Sequence, residues 1–141
     1  YIFIVKYHYL VSDKIDWTPY KGFVYTFDET KDIAWLYLVS DMLITDYSSV
    51  MFDYSILNRP MLFFAYDLED YKENLRGFYF DFVNDIPGPI SRDTDQLIKD
   101  IKEYNEDNWK EKYKNYHDKF NGIDDGHASQ KVIDVIKKVS R

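Results

Sequence analysis

A chain of 141 residues with 45% hydrophobic and 30% charged residues has the composition of one globular domain with a buried core. Its formal net charge of -7 argues against a broad nucleic-acid-binding surface, so no nucleic-acid partner is predicted. The absence of cysteine excludes disulfides, thiolate zinc sites and cysteine catalysis.

The first half of the chain alternates short apolar runs with helical patterns. The first run, residues 1–5, is continuous and predicts a strand buried on both faces, and Asp32 is placed to cap the first helix. Strands alternating with helices imply parallel pairing, so we predict an α/β fold with a doubly wound, mostly parallel sheet. The predicted strands are residues 1–5, 23–26, 42–45 and 61–64, and the predicted helices are residues 32–39 and 50–57.

The second half consists of an irregular segment followed by a helical C-terminal tail. Residues 66–92 contain glycines and prolines, and a segment of that length is more often functional than idle. Three amphipathic helices are predicted after it, with their apolar stripes packed in the core. The stripes are Leu97, Ile98, Ile101 and Tyr104, then Trp109, Tyr113, Tyr116 and Phe120, then Val132, Ile133, Ile136 and Val139.

Residues 42–57 combine a strand, a polar turn and an apolar helix. In an open α/β sheet, ligands bind beyond the carboxyl ends of the strands, and a helix start adds free N–H groups there. Ser48 and Ser49 add two hydroxyls, so the turn suits a diphosphate. Asp53 lies one helical turn further on the same face and suits ribose or polyol hydroxyls. The alternative is that one serine merely caps the helix and Asp53 is solvated.

These residues resemble a known family. The string LITDYSSVMFDY, then Arg59-Pro60, Asp67-Leu68, Tyr71, Arg76-Gly77 and Tyr79, is similar to the CDP-glycerol glycerophosphotransferases of teichoic acid synthesis. Residues 125–129 look like the DG-x-AS box of that family, and the resemblance runs from about His8 to the C-terminal helix.

The resemblance implies a GT-B-like architecture in which residues 1–141 form one nucleotide-binding domain, a fragment of a longer two-domain transferase. The chain also begins without Met inside a predicted strand, as a piece of a longer protein does. The implied partners are a CDP-activated polyol donor, a lipid-linked polymer acceptor and the chain's own N-terminal domain, which is expected to hold the general base.

The resemblance also implies roles for individual residues. Ser48, Ser49 and Asp53 match donor-contacting positions, and Lys6-Tyr7-His8 matches a lysine–x–histidine–proline box, although Tyr9 replaces the proline. His8 follows the first strand, where a protonated imidazole stabilises phosphate charge, and it is the catalytic candidate. Two further candidates for substrate binding are Arg76, in the irregular segment, and Ser129, in the DG-x-AS box.

No cofactor and no metal ligand is predicted. Mg²⁺ is compatible with phosphoryl transfer, but nothing in the sequence indicates it. The acidic run at residues 66–71 is compatible with a metal loop, yet carboxylates of this kind usually only solvate a turn.

The predicted function is the transfer of glycerol phosphate or ribitol phosphate from a CDP-activated donor to a teichoic acid or capsule-type polymer, with release of CMP. The fragment alone is expected to be inactive. Two alternatives remain: a GT-B glycosyltransferase half-site that uses a nucleotide sugar, and a non-catalytic nucleotide-binding module. The expected location is the cytoplasm, with the full-length protein peripheral at the inner face of the membrane.

Overall fold

The computed structural model describes residues 1–7, 15–28, 30–75 and 77–140. The chain divides into two compact units, Tyr1–Ser40 and Asp41–Arg141. None of the described helices is long and apolar enough to cross a membrane.

The first unit contains two short parallel strands and one helix. Phe3 pairs with Val24 and Val5 with Thr26, which confirms both strands and their parallel pairing. The Asp32 carboxylate accepts a hydrogen bond from the Ala34 N–H at 2.9 Å, as predicted for the start of the helix. The elements are β1 (Phe3–Val5), a 3-10 turn (Thr18–Tyr20), β2 (Val24–Thr26) and α1 (Ala34–Val39).

The expectation that the first strand is buried on both faces is wrong. Phe3 is 39% exposed and Ile4 is 37% exposed. A sheet of two three-residue strands has too few neighbouring elements to cover both of its faces. The apolar run therefore identified the strand but not its surroundings.

The second unit is built on a three-stranded parallel sheet in the order β3-β4-β5. Thr45 pairs with Phe63 on one side of β4, and Phe64 pairs with Ser91 on the other. The predicted third and fourth strands and the helix between them are confirmed. These elements are β3 (Leu43–Thr45), α2 (Val50–Ser55), β4 (Met61–Phe64) and β5 (Ile90–Ser91).

The core of this unit surrounds β4. Met61, Leu62 and Phe63 are fully buried, since β4 lies between two other strands. Gly88 lies directly beside it, and a Cβ there would stand 1.9 Å from the Met61 carbonyl oxygen. Only glycine allows the two backbones to approach this closely.

The predicted irregular segment at residues 66–92 contains more regular structure than its composition indicates. The strand β5 was missed because two residues after a Pro-Gly-Pro sequence are too few to show a period. The Phe63 N–H donates to the Pro89 carbonyl and the Ala65 N–H to the Ser91 carbonyl, both at 2.9 Å. The other elements of the segment are α3 (Leu68–Asp70), a π-helical turn (Tyr71–Leu75) and α4 (Phe82–Asp85).

The three C-terminal helices are confirmed, but the core packing predicted for the first is only partial and that predicted for the last is wrong. No residue of the first helix is buried, and Ile98 is 44% exposed. Tyr116, in the second helix, is buried. By contrast, Val132 is 58% exposed and Ile136 is 57% exposed, because no described element covers that stripe. Helical periodicity shows that a helix has an apolar face, but not what the face contacts. The helices are α5 (Thr94–Glu103), α6 (Lys110–Phe120) and α7 (Ala128–Val139), with a 3-10 turn (Glu106–Asn108) before α6.

Candidate functional site

The predicted polar turn joins β3 to α2 at the carboxyl end of the strand. We call residues 46–49 the serine turn. The Asp46 carboxylate accepts a hydrogen bond from the Ser48 N–H at 3.0 Å. The Ser48 and Ser49 carbonyls accept from the N–H groups of Met51 and Phe52 at 3.3 and 3.0 Å. Hydrogen bonds between residues two or three apart thus hold the turn and form the start of α2.

The Ser49 side chain is not used as the capping alternative requires. Ser49 occupies the N-cap position of α2, yet its backbone is helical and its side chain makes no capping hydrogen bond. Helix-capping serines instead adopt an extended backbone and accept from an N–H in the first turn. Ser49 is exposed and Ser48 is half-buried. The geometry therefore leaves the Ser49 hydroxyl available to a ligand.

One N–H group of the turn differs from the expectation. We expected the start of α2 to offer free N–H groups, but the Ser48 N–H is already bonded to Asp46. An aspartate two residues before an N–H commonly forms this contact. The Ser48 amide is therefore not among the donors that the turn offers to a ligand.

Asp53 lies on α2, one turn beyond Ser49, and is exposed. Its position agrees with the predicted shared face, since residues four apart on a helix are neighbours. A carboxylate there accepts hydrogen bonds from hydroxyls of a bound ligand. Its role in binding stays a prediction.

Tyr47 is a residue of the serine turn that sequence reasoning missed. Its hydroxyl donates to the Asp67 carboxylate at 2.8 Å. Its ring stacks on Tyr71 with centroids 4.0 Å apart and meets Phe82 edge-on at 5.5 Å. Burial, and then the hydrogen bond with Asp67, raise the pKa of the Tyr47 phenol. An aromatic residue inside an otherwise polar turn was the signal that could have identified it.

Two carboxylates of the acidic run at residues 66–71 pair with side chains of other segments in the second unit. Asp67 accepts from Tyr47, and Glu69 pairs with Arg92 at 3.2 Å on the surface. In the part of the chain that the structure describes, no group of three or more acidic or histidine side chains could hold a metal ion.

Three other predicted site residues belong to the first unit or lie outside the described residues. Lys6 belongs to the first unit, where its ammonium lies 6.0 Å from the centroid of the Phe27 ring. His8 and Arg76 lie outside the described residues. Their predicted roles stay predictions.

Residues 125–129 form the turn that starts α7, as predicted from the Asp-Gly pair. The Asp125 carboxylate accepts from the Lys131 ammonium at 2.8 Å and from the His127 N–H at 3.0 Å. The hydrogen bond from Lys131, and then that from His127, lower the pKa of Asp125. Gly126 has a φ of +77°, a conformation that favours glycine. Ser129 is exposed in the first turn of α7, and its place at the site stays a prediction.

An open cleft lies near the amino end of β4, opposite the end of the sheet that carries the serine turn. It has a volume of about 340 Å³, and Arg59 and Pro60, which precede β4, form part of its lining. Glu106 and Asp118 line it together with Lys110 and Lys114, so its charges are mixed. None of the predicted site residues that the structure describes lines it, and shape alone does not make it the site.

Parallel strands, intervening helices and a hydroxyl-bearing turn at a carboxyl end define an α/β protein with a GT-B-like fold, as predicted. The class can be stated more narrowly from a comparison with protein families. The chain belongs to the CDP-Glycerol:Poly(glycerophosphate) glycerophosphotransferase family, whose model matches residues 1–138. The resemblance seen in the sequence is thereby confirmed.

Curated relatives include enzymes of both polyol types. The chain is 46% identical over 140 residues to a teichoic acid poly(glycerol phosphate) polymerase of Bacillus subtilis, which covers 98% of this chain and 19% of the relative. It is 42% identical to a teichoic acid glycerol-phosphate transferase of Staphylococcus aureus, covering 98% and 36%. It is 44% identical to a teichoic acid poly(ribitol-phosphate) polymerase of Bacillus spizizenii, covering 96% and 22%.

The fold agrees with a solved structure. The wall teichoic acid polymerase TagF superposes with a TM-score of 0.86 at 43% identity, covering 98% of this chain and 34% of that one. A variant of TagF soaked with CDPG matches with the same score and identity. The chain thus spans about a third of the solved polymerase and a fifth to a third of the curated relatives.

Proposed function

We propose that the chain is the donor-binding domain of a CDP-polyol phosphotransferase that extends or primes a teichoic acid or capsule-type polymer and releases CMP. The observation that carries the proposal is the serine turn. The turn lies at the carboxyl end of β3, and the Ser49 hydroxyl makes no capping hydrogen bond to α2. The family to which the chain belongs is named for CDP-glycerol. Relatives acting on glycerol phosphate and on ribitol phosphate are similarly close, so either polyol donor fits.

The proposed reaction is in-line phosphoryl transfer. A hydroxyl oxygen of the acceptor attacks the phosphorus that carries the polyol, and the bond from that phosphorus to the CMP oxygen breaks. The acceptor proton passes to a general base in an N-terminal domain, and CMP leaves with the bonding electron pair. Such transfers depend mainly on positioning and on stabilisation of phosphate charge.

Within this reaction, the described residues of the second unit have distinct proposed tasks. The Ser48 and Ser49 hydroxyls donate to the diphosphate oxygens, and Asp53 accepts from ribose or polyol hydroxyls. For Lys6, His8, Arg76 and Ser129, the support is the family resemblance alone. His8 would stabilise charge on the leaving phosphate when its imidazole is protonated.

The partners and location of the whole protein are part of the same proposal. Residues 1–141 would act as one domain of a longer two-domain transferase, together with an N-terminal domain and a lipid-linked acceptor. Because the proposed acceptor is linked to a lipid, the full-length protein would act at the inner face of the membrane. The isolated chain is expected to fold but not to release CMP from CDP-glycerol.

Protection from thermal unfolding tests the proposal against the glycosyltransferase alternative. A ligand that binds only the folded state raises the midpoint of unfolding. We expect CDP to raise it and UDP at the same concentration to raise it much less. Protection by UDP but not by CDP would favour a nucleotide-sugar transferase instead.

The longer parent protein tests the non-catalytic alternative. Release of CMP from CDP-glycerol in the presence of a polyol-phosphate acceptor supports the phosphotransferase. Binding of CDP without any turnover, in a parent protein that includes the N-terminal domain, would indicate a nucleotide-binding module.

A further inference from the structure

The serine turn is joined to the segment after β4 by one side-chain hydrogen bond. Tyr47 follows β3 by two residues and Asp67 follows β4 by three, and the Tyr47 hydroxyl donates to the Asp67 carboxylate at 2.8 Å. Because β3 and β4 are parallel neighbours, this bond links their carboxyl ends. Ligands of α/β sheets bind beyond the carboxyl ends of the strands.

We infer that Tyr47 and Asp67 form a clasp that fixes the serine turn in the conformation that receives the donor diphosphate, so that both are positioning residues. The inference rests on the proposed function and adds two residues to the site. Neither of them needs to touch the nucleotide.

The ring of Tyr47 is held as firmly as its hydroxyl. It stacks on Tyr71 at 4.0 Å and lies 5.6 Å from Phe78 and 5.5 Å from Phe82, measured between centroids. Phe82 is itself buried. A ring enclosed on several sides leaves its backbone little freedom, and the next residue in the chain is Ser48.

A second contact acts on Ser48 from the other side of Tyr47. The Asp46 carboxylate accepts from the Ser48 N–H at 3.0 Å, so the backbone on both sides of Tyr47 is fixed. Pre-formed donors bind an anion more tightly than mobile ones, because less conformational freedom is lost on binding. The clasp therefore acts on affinity through the order of the turn.

The Tyr47–Asp67 bond is of a strong kind. The acceptor is a carboxylate, and hydrogen bonds to ionised groups are stronger than neutral ones. A tyrosine phenol is protonated near neutral pH, and burial and this bond raise its pKa further. Tyr47→Phe removes the bond and keeps the ring and its stacking.

The chain offers a matched control. The Tyr113 hydroxyl also donates a hydrogen bond to a distant residue, the Arg59 carbonyl. Arg59 precedes β4, so this contact lies at the amino end of the strand and not at the carboxyl end. Tyr113→Phe is the same chemical change without any link to the serine turn. Asp67→Asn keeps an oxygen acceptor for Tyr47, whereas Asp67→Ala does not.

The test measures CDP affinity by calorimetry and amide hydrogen exchange at Ser48 and Ser49 in each variant. We expect Tyr47→Phe and Asp67→Ala each to weaken CDP binding about threefold to tenfold and to speed exchange in the turn. The variant that combines Tyr47→Phe with Asp67→Ala should bind CDP no more weakly than either single variant. Asp67→Asn should retain most of the CDP affinity. Tyr113→Phe should bind CDP as the unchanged chain does.

If the unchanged chain binds CDP, either of two results overturns the inference. One is a Tyr47→Phe variant with unchanged CDP affinity, and the other is a Tyr113→Phe variant that loses as much affinity as Tyr47→Phe. If the unchanged chain binds no CDP, the proposed function fails instead. The exchange rates then decide alone whether the clasp holds the turn, and equal rates in Tyr47→Phe and the unchanged chain overturn it.

Discussion

The hydroxyl of Ser55 donates to the side-chain oxygen of Asn121 at 2.7 Å, and this contact joins the end of α2 to the end of α6. Both residues are buried: Ser55 is 0% exposed and Asn121 is 4% exposed. The Asn121 amide also donates to the Phe52 carbonyl at 3.1 Å. The Ser55 hydroxyl also lies 2.7 Å from the Phe52 carbonyl oxygen, so Ser55, Phe52 and Asn121 form one hydrogen-bond network between α2 and α6.

Asn121→Ala should lower the free energy of unfolding by about 1–3 kcal/mol, because it leaves the Phe52 carbonyl without this donor and opens a polar cavity. Urea unfolding measures the loss. Asn105→Ala is the control, since Asn105 accepts an N–H from Asp107 at an exposed turn. Equal losses in the two variants would contradict the role of Asn121.

Tyr116→Phe should leave the stability unchanged or raise it. Tyr116 is 1% exposed, and its hydroxyl has no hydrogen-bond partner within the described chain. Removing a buried polar group without a partner relieves a cost of about 1–3 kcal/mol, against which the lost packing is small. Tyr113→Phe, which removes the donor to the Arg59 carbonyl, should instead cost about 1 kcal/mol. A Tyr116→Phe variant less stable than Tyr113→Phe would show that the Tyr116 hydroxyl has a partner.

Stability should fall at alkaline pH. Burial is the main cause that raises the pKa of Tyr54 and of Tyr104 to about 12 each. In the unfolded chain these phenols titrate near 10, so above that pH the unfolded state loses its protons first and is favoured. The contribution is complete below about pH 10 and is lost as the pH rises toward about 12. Urea unfolding at a series of pH values should show this decline, and a constant stability across the window would contradict it.

The sequence predicted those parts of the fold that one stretch of residues determines. The strand β4 was predicted with its bounds, because a buried central strand is a continuous apolar run. The two residues of β5 were missed, since their strand character comes from pairing with Phe63 and Phe64. The exposure of α7 could not be predicted either, because periodicity does not name the surface that a stripe contacts.

The candidate site was predicted to a similar extent. The serine turn lies where the strand–turn–helix pattern placed it, and Asp53 lies one turn further on α2. The bond between Tyr47 and Asp67 spans 20 residues and depends on the pairing of β3 with β4, so no local pattern shows it. The roles of Lys6, His8, Arg76 and Ser129 stay predictions.

His8 should make nucleotide affinity depend on pH. An imidazole with an unperturbed pKa of about 6.5 is only partly charged at neutral pH, and a bound diphosphate raises that pKa. CDP affinity should therefore increase as the pH falls from about 8 toward about 6, where the phosphate itself begins to take up protons. His8→Gln keeps a hydrogen-bond donor without the charge and should flatten the dependence. Parallel curves for the two proteins would remove His8 from the site.

The most direct measurement of the central claim is CDP affinity, by calorimetry, of the unchanged chain and of the Ser48→Ala plus Ser49→Ala double variant. Each lost hydroxyl contact to a charged phosphate should cost roughly 1.5–3 kcal/mol of binding, while stability changes by no more than about 1 kcal/mol. Ser140→Ala, at the exposed end of α7, is the control and should bind CDP normally. An unchanged affinity together with a lower melting temperature would contradict the claim, because the two serines would then serve only the helix.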